Sequence, residues 1–464
     1  MGADLVAVLP EALLFLGGMV TLVGGSFTPR ARQRRMGIVA AAATVAGLVA
    51  SLVAWEGDTR AVFSGTFTVD TSTGATRVIV TVSLLLILLI ASGEVRDHPR
   101  ESETYSLLLF GGAGALLLAG STDLAVLVVA FLLSSIPLYG LVGIIARPES
   151  PEAALKTYLC GALFGILLML GAVLLYGLAG RAGYSSLAAE LTDAPSAAVA
   201  AGGVLVLMGL LFKAGGVPGH FWVPDATQGA SVSAAAFLTT IPKIGAIVAI
   251  TRLVAVLPGD LRWATVLGVL AVASMTIGNL AALAQDDVRR LLGWSTVSQV
   301  GYLLAAAAVT RISDQGQPAL LFFLAGYALT NLAAFAVAAA APDRRSLEDW
   351  AGFASTRPGL SAALVVALLG LVGTPPTAVF IGKLTTMGAT WGAGLAWLAV
   401  AIALNSVVSL FYYLRWLRAA LRPAAQLEEG SSTGGRGAPT AALVAAFATV
   451  AMGLTAGPVW LILA

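Results

Sequence analysis

Charge is what this chain has least of. Only 11% of its 464 residues are charged, against roughly 25% in soluble domains. That scarcity excludes an aqueous enzyme, a nucleic-acid binder and a disordered scaffold. There is one cysteine, Cys160, set in an apolar run, which excludes a disulfide framework and a cysteine-ligated cluster. The two histidines, His98 and His220, are too few for a histidine-rich metal centre. A net charge of +2 carries no signal for acidic partners. What is abundant is apolar: 58% hydrophobic residues and a mean hydropathy of +0.91. The chemistry of this protein takes place inside a bilayer.

A hydrocarbon core about 30 Å thick needs about 20 apolar residues per helix. Apolar runs between charged or Pro/Gly-rich breaks predict about fourteen transmembrane helices, from 5–25 and 37–54 to 389–419 and 439–462. The fold class is therefore an all-α polytopic membrane protein, one transmembrane domain over 1–464. The longest hydrophilic stretch, 426–437, reads as a flexible cytoplasmic loop. Most arginines follow odd-numbered spans, including Arg30, Arg32, Arg34, Arg35, Arg96, Arg100, Arg147, Arg289, Arg290, Arg415 and Arg418. Few follow even-numbered ones, among them Arg60, Arg181 and Arg311. Positive charge favours the cytoplasmic side, so both termini are expected outside the cytoplasm.

Three lysines fall outside this pattern. Lys213 and Lys243 lie within apolar runs, and Lys383 lies nearer the end of its span. A cation at mid-bilayer costs at least ~2.5–3.5 kcal/mol, and such residues usually face a wet interior path. A lysine taken out of water also releases its proton more readily, which suits proton transfer. Snorkelling to the interface is the alternative, and it suits Lys383 best.

Two clusters of helix breakers accompany the lysines. Span seven carries Gly215-Gly216-Val217-Pro218-Gly219, and span twelve carries Gly373-Thr374-Pro375-Pro376-Thr377. Proline removes a donor and clashes with the preceding turn, so Gly216, Pro218, Pro375 and Pro376 should unwind their helices. Unwound backbone at membrane depth is tolerated where it is buried in protein or lines a wet cavity. With 104–256 and 262–419 as two five-helix repeats, each break falls in the fourth helix, the pattern that marks a site in repeat-built transporters. Independent kinks that only aid packing are the plainer reading.

The stretch Phe212 to Lys243 (FKAGGVPGHFWVPDATQGASVSAAAFLTTIPK) resembles the core of the antiporter-like subunits of respiratory NADH-quinone oxidoreductase, complex I. So do Gly278 to Gln285, Ser295 to Tyr302, and Pro375-Pro376-Thr377 leading to Phe380-Ile381-Gly382-Lys383. Leu9-Pro10-Glu11 and Ser135 to Tyr139 point to the subunit N branch, and the similarity covers essentially the whole chain. The resemblance implies a bacterial plasma-membrane protein with two inverted five-helix repeats and discontinuous helices seven and twelve. It implies a proton path in which Lys213 is the switched lysine, Lys243 the central relay and Lys383 the distal relay. His220 is either a further relay or a cap for the loop. Other membrane subunits and the lipid bilayer are the implied partners. No cofactor is expected in this chain; NADH, flavin, iron–sulfur clusters and quinone belong to partner subunits.

Four positions depart from the family's pattern. Leu132 stands where span five of the family carries a glutamate, and Asp123 lies too far along the helix to replace it. Gln299 occupies a place often held by a histidine, Gln228 stands where many relatives have an acid, and the run Ala230 to Ser233 lacks the usual proline. The expected function is therefore a proton-translocating subunit, with two alternatives: a non-pumping scaffold paralogue, or a subunit of a cation/proton antiporter or hydrogenase-type complex. Glu11 is expected either to meet a neighbouring subunit or to favour its own helix dipole. Trp222, Trp263, Trp294, Trp350 and Trp391 read as interfacial anchors.

Overall fold

The computed structural model describes residues 2–55, 59–145, 147–423 and 435–464. The hydrophilic loop expected at 426–437 lies outside the described residues as far as residue 434. Among the described residues, thirteen helices are long and apolar enough to cross a membrane. They are α1 (Leu9–Phe27), α2 (Arg34–Val53), α3 (Thr71–Glu94), α4 (Glu101–Gly120), α5 (Leu124–Gly143), α6 (Ser150–Ala179), α7a (Ser196–Ala214), α8 (Val232–Val256), α9 (Trp263–Leu283), α10 (Val288–Val309), α11 (Gly316–Ala340), α13 (Ala396–Leu421) and α14 (Gly437–Leu454). The shorter α7b (Trp222–Gly229) continues α7a beyond its break, and α12a (Pro358–Val372) and α12b (Ala378–Gly392) form the two halves of span twelve. Among the small elements not anticipated from sequence are two between spans. A hairpin joins α2 to α3, with β1 (Arg60–Val62) antiparallel to β2 (Phe67–Val69). A short helix, Tyr184–Glu190, precedes α7a.

Helices α8, α10 and α11 are almost wholly enclosed by the rest of the chain, while α2, α6 and α14 are largely peripheral. On α6 the large side chains Leu155, Leu159, Leu163, Ile166, Leu170 and Val173 point outward. Thr157, Gly161, Gly165 and Ala172 face inward. Lipid is as apolar as leucine, so small residues belong where helices must approach closely and large ones outside.

Charged groups lock the bundle at several helix ends. The Glu94 carboxylate, at the end of α3, accepts the N–H groups of Val232 at 2.7 Å and Ser233 at 2.8 Å. These are orphan donors of the first turn of α8, and a negative charge there also opposes the helix dipole. Arg147 donates to the same carboxylate at 3.3 Å. Glu94→Ala is expected to lower stability by about 1–2 kcal/mol, read as an earlier thermal transition of the solubilised protein. At the other end of α8, Arg252 donates to Asp70, the N-cap of α3, at 2.8 Å.

Among the described residues, one ion pair is fully buried between membrane helices. Arg77 of α3 donates from Nε and Nη2 to the two carboxylate oxygens of Glu11, at 2.7 and 2.9 Å, and from Nη2 to the Ala7 carbonyl at 2.7 Å. Both side chains are buried. Glu11 therefore has its partner inside this chain and not in a neighbouring subunit, and it stands in the first turn of α1, where an acid suits the helix dipole.

Candidate functional site

The first break begins where α7a ends. Gly215 adopts φ +78°, and its N–H turns back to the carbonyls of Leu211 and Phe212. The N–H of Gly216 also reaches Leu211, at 2.9 Å. A left-handed glycine closing the last turn is a common helix stop. The backbone then runs unwound through Gly216 and Pro218 to α7b. It is held by the Val217 N–H on Ser274 Oγ of α9 at 3.0 Å, and by Trp222 Nε1 on the Phe212 carbonyl at 3.1 Å. The second break repeats this arrangement. Gly373 takes φ +91° and bonds back to Leu369 and Gly370, Thr374 follows onto Leu369, and Pro375 and Pro376 lead into α12b. Each break contains a cis X–Pro peptide bond, Val217–Pro218 and Pro375–Pro376.

Each of the three lysines is buried against one of these breaks. Lys213 occupies the last turn of α7a, is fully enclosed, and has no hydrogen-bond partner for Nζ among the described residues. The ring of Phe131 on α5 lies beneath it, 5.1 Å from Nζ to centroid. A cation over an aromatic face gains about 0.5–2 kcal/mol, much less than a buried carboxylate would provide. The neighbouring Leu132 is only partly buried against the core. Asp123 is the N-cap of α5, accepting from Ala125 and Val126.

Lys243 lies on α8, one residue after Pro242. Proline has no N–H to give to the carbonyl four residues back, and that carbonyl, Leu238, accepts from Lys243 Nζ at 3.4 Å. The same Nζ lies 3.2 Å from the position a Cβ on Gly215 would occupy. Any side chain at Gly215 would therefore press on the ammonium, besides straining the turn.

Lys383 stands on α12b and reaches back across its break. Its Nζ donates to the carbonyls of Leu371 at 3.2 Å and Val372 at 2.9 Å, the last of α12a. These are orphan acceptors at the negative end of a helix dipole. The ring of Tyr302 on α10 lies 4.0 Å from Nζ. Lys383 thus turns inward and does not snorkel.

Between Lys243 and Lys383 runs a polar seam. Asn331 of α11 donates to Thr239 and Thr240, each at 3.0 Å. Tyr327 donates to the Thr239 carbonyl at 2.7 Å and to Thr296 at 3.3 Å. Gln299 donates to the Leu371 carbonyl at 2.8 Å, so it shares an acceptor with Lys383. His220 is buried in the first break, its ring tilted against those of Phe221 and Trp294 at 4.3 and 5.7 Å between centroids. Its Nδ1 has no partner among the described residues, and no hydrogen bond joins it to a lysine. Asp225 on α7b binds Arg290 of α10 and, at 3.0 Å, Lys156 of α6. Gln228 accepts from Arg290 at 3.0 Å.

Sequence reasoning found the lysines and the breaks but not Tyr302, Tyr327 and Asn331. These residues belong to central helices, where tyrosine and asparagine do not stand out as site residues. It also misplaced four tryptophans. Trp222, Trp263 and Trp350 are buried within the protein and Trp294 is partly so, whereas Trp391 is exposed as an anchor would be.

The family described as "NADH:quinone oxidoreductase/Mrp antiporter, TM" matches residues 121–409. NADH-quinone oxidoreductase subunit N of Mycobacterium sp. (strain JLS) is 55% identical over 97% of this chain and 96% of its own. The chain belongs to the NADH-quinone oxidoreductase subunit N family. Subunit N 1 of Streptomyces griseus is 47% identical over 98% of this chain and 97% of its own. Among solved structures, a chain of respiratory complex I from Thermus thermophilus superposes with a TM-score of 0.84 at 32% identity, over 97% of this chain and 98% of that one. A chain of the Mrp complex from Dietzia sp. shares the fold, with a TM-score of 0.85 at 23% identity over 99% and 96%. The family-model match over residues 121–409 spans both breaks and all three lysines.

Proposed function

We propose that this chain is a membrane-arm subunit of a proton-translocating NADH-quinone oxidoreductase, and that Lys213, Lys243 and Lys383 carry protons through it. The observation that carries this reading is the burial of three lysines, without an ion pair among the described residues, each beside one of two helix breaks of matching form. An unpaired buried ammonium is expensive to maintain, which favours groups that shed and regain a proton. Helices α4–α8 and α9–α13 are read as two inverted repeats over 104–256 and 262–419. His220 is read as a relay at the edge of the path. The redox groups belong to partner subunits: NADH, flavin, iron–sulfur clusters and quinone. The excess of arginine after odd-numbered spans supports termini outside the cytoplasm.

The reading is tested first by assembly. A tagged chain extracted in mild detergent should migrate on a native gel with NADH-dehydrogenase activity and flavin. Migration of the intact protein apart from both would contradict it.

One observation favours a second reading, a scaffold that fills the subunit N position without conducting. Lys213 faces the ring of Phe131 where a carboxylate would form a switch. Lys213→Ala separates the two. Conduction predicts fewer protons moved per NADH oxidised in proteoliposomes, and a scaffold predicts an unchanged ratio. Leu132→Glu, once assembly is verified, should leave the ratio unchanged in a conducting subunit and raise it in a scaffold.

A further inference from the structure

A basic basin opens between the starts of α2 and α14 and the end of α3, with a volume of about 1060 Å³. Small-molecule sites occupy roughly 300–1,000 Å³, so it is large enough to hold a ligand. Three guanidinium groups line it: Arg34 in the first turn of α2, Arg96 just beyond α3, and Arg436 at the N-cap of α14. Close backbone packing brings the elements together. A side chain on Gly437 would collide with the Leu89 carbonyl, and a Cβ on Gly93 would lie 3.2 Å from Gly435. Glycine at both places lets the start of α14 lie against the end of α3.

None of the three arginines makes an ion pair or donates a side-chain hydrogen bond among the described residues. Other arginines at this end of the bundle are matched, Arg147 with Glu94, Arg290 with Asp225 and Arg345 with Glu149. Glu101, whose charge bears on Arg34 and Arg96, is buried and accepts the Asp97 N–H at 3.3 Å. The start of α14 has no side-chain cap, so its first N–H groups and the positive end of its dipole add to the preference for an anion. The rest of the lining is partly apolar, from Leu89 and Pro439. Ile38 follows Arg34 by four residues and Leu443 follows Pro439 by four, which puts each on the helix face of a lining residue. Both Ile38 and Leu443 are exposed, as on the outside of a peripheral helix. The basin thus joins unpaired positive charge at the helix ends to apolar surface along the helices.

We propose that this basin binds an anionic phospholipid, its phosphate held by Arg34, Arg96 and Arg436 and its acyl chains lying along α2 and α14. Clusters of basic residues at the ends of membrane helices attract such headgroups, and here three of them surround one cavity. The site is independent of whether this subunit conducts protons.

The test uses the intact complex, reconstituted in vesicles that contain photoactivatable phosphatidylglycerol or the matching phosphatidylcholine. Labelled peptides are identified by mass spectrometry. Phosphatidylglycerol should label the basin ends of α2, α3 and α14 in preference to phosphatidylcholine. Each arginine at an anionic surface is worth a factor of about five, so Arg34→Gln, Arg96→Gln and Arg436→Gln together should lower that labelling at least about tenfold. Arg30→Gln with Arg32→Gln removes charge from the same end but outside the basin, and should lower it less; an equal loss would replace the site with a diffuse field. Equal labelling by the two lipids, or unchanged labelling in the triple variant, overturns the proposal. So does a basin that neither lipid labels, which would be covered by a partner subunit. Labelling abolished by millimolar inorganic phosphate, and not by chloride of equal ionic strength, would assign the arginines to a free anion and sink the lipid. Should the triple variant fail to assemble, Arg436→Gln alone decides, with a fall of about fivefold supporting the site and wild-type labelling overturning it.

Discussion

Replacing Lys243 with methionine is expected to stop proton flux through this subunit while the complex remains assembled. Lys243 is fully buried, and its ammonium has one weak hydrogen bond, to the carbonyl freed by Pro242. Methionine has similar length and flexibility, so the packing around Gly215 survives and no cavity opens. Because the ammonium takes part in no ion pair among the described residues, its removal leaves no opposite charge stranded there. Loss of a positioned proton-transfer group typically costs a factor of about 10² or more, and flux through the subunit should fall by at least that. Lys243→Arg sharpens the test. A guanidinium stays charged throughout the accessible pH range, so it retains the charge but cannot pass the proton on. Both variants should lose flux if proton transfer is the role, whereas a purely electrostatic role would spare the arginine variant. Vesicle acidification alongside NADH oxidation reads both.

The second large effect concerns stability. Arg77→Leu leaves the Glu11 carboxylate buried with no cation, and breaking a buried pair from one side costs about 3–5 kcal/mol. The two nitrogens that Arg77 directs to Glu11, and its further bond to Ala7, make this a geometrically demanding pair. Thermal inactivation of the solubilised protein should therefore move to distinctly lower temperature. Replacing both partners, Glu11→Leu with Arg77→Leu, should recover much of the loss, because two apolar side chains suit their surroundings. A double-mutant cycle gives the coupling directly. Near-zero coupling would show that the pair is incidental.

Much of the fold was legible because the bilayer dictates it. Span length and apolar composition located most helices to within about five residues, with larger misses of seven or eight at the end of span twelve, the start of α13 and the end of α14. Gly215, Pro218, Pro375 and Pro376 located the breaks, since no side-chain interaction restores the donor that proline lacks. Lys213 and Lys243 were legible for the opposite reason, being charged where charge is costly. The partnership of Glu11 with Arg77 was not legible, because sequence shows two charges 66 positions apart and nothing of the helix packing that joins them. The seam residues Tyr302, Tyr327 and Asn331 were equally hidden, whereas Gln299 stood out as a departure from the family's histidine. The three hidden residues occur as ordinary members of apolar helices, and only burial and unpaired atoms set them apart. The tryptophans misled because a helix end inside the protein and one at the lipid interface have the same local sequence.

The central claim is that protons pass through this chain by way of its three buried lysines. It is tested most directly by the proton-to-NADH ratio of the reconstituted complex carrying Lys213→Met, Lys243→Met and Lys383→Met together. The account predicts an assembled complex that moves fewer protons per NADH than wild type. An assembled complex with the wild-type ratio would contradict it.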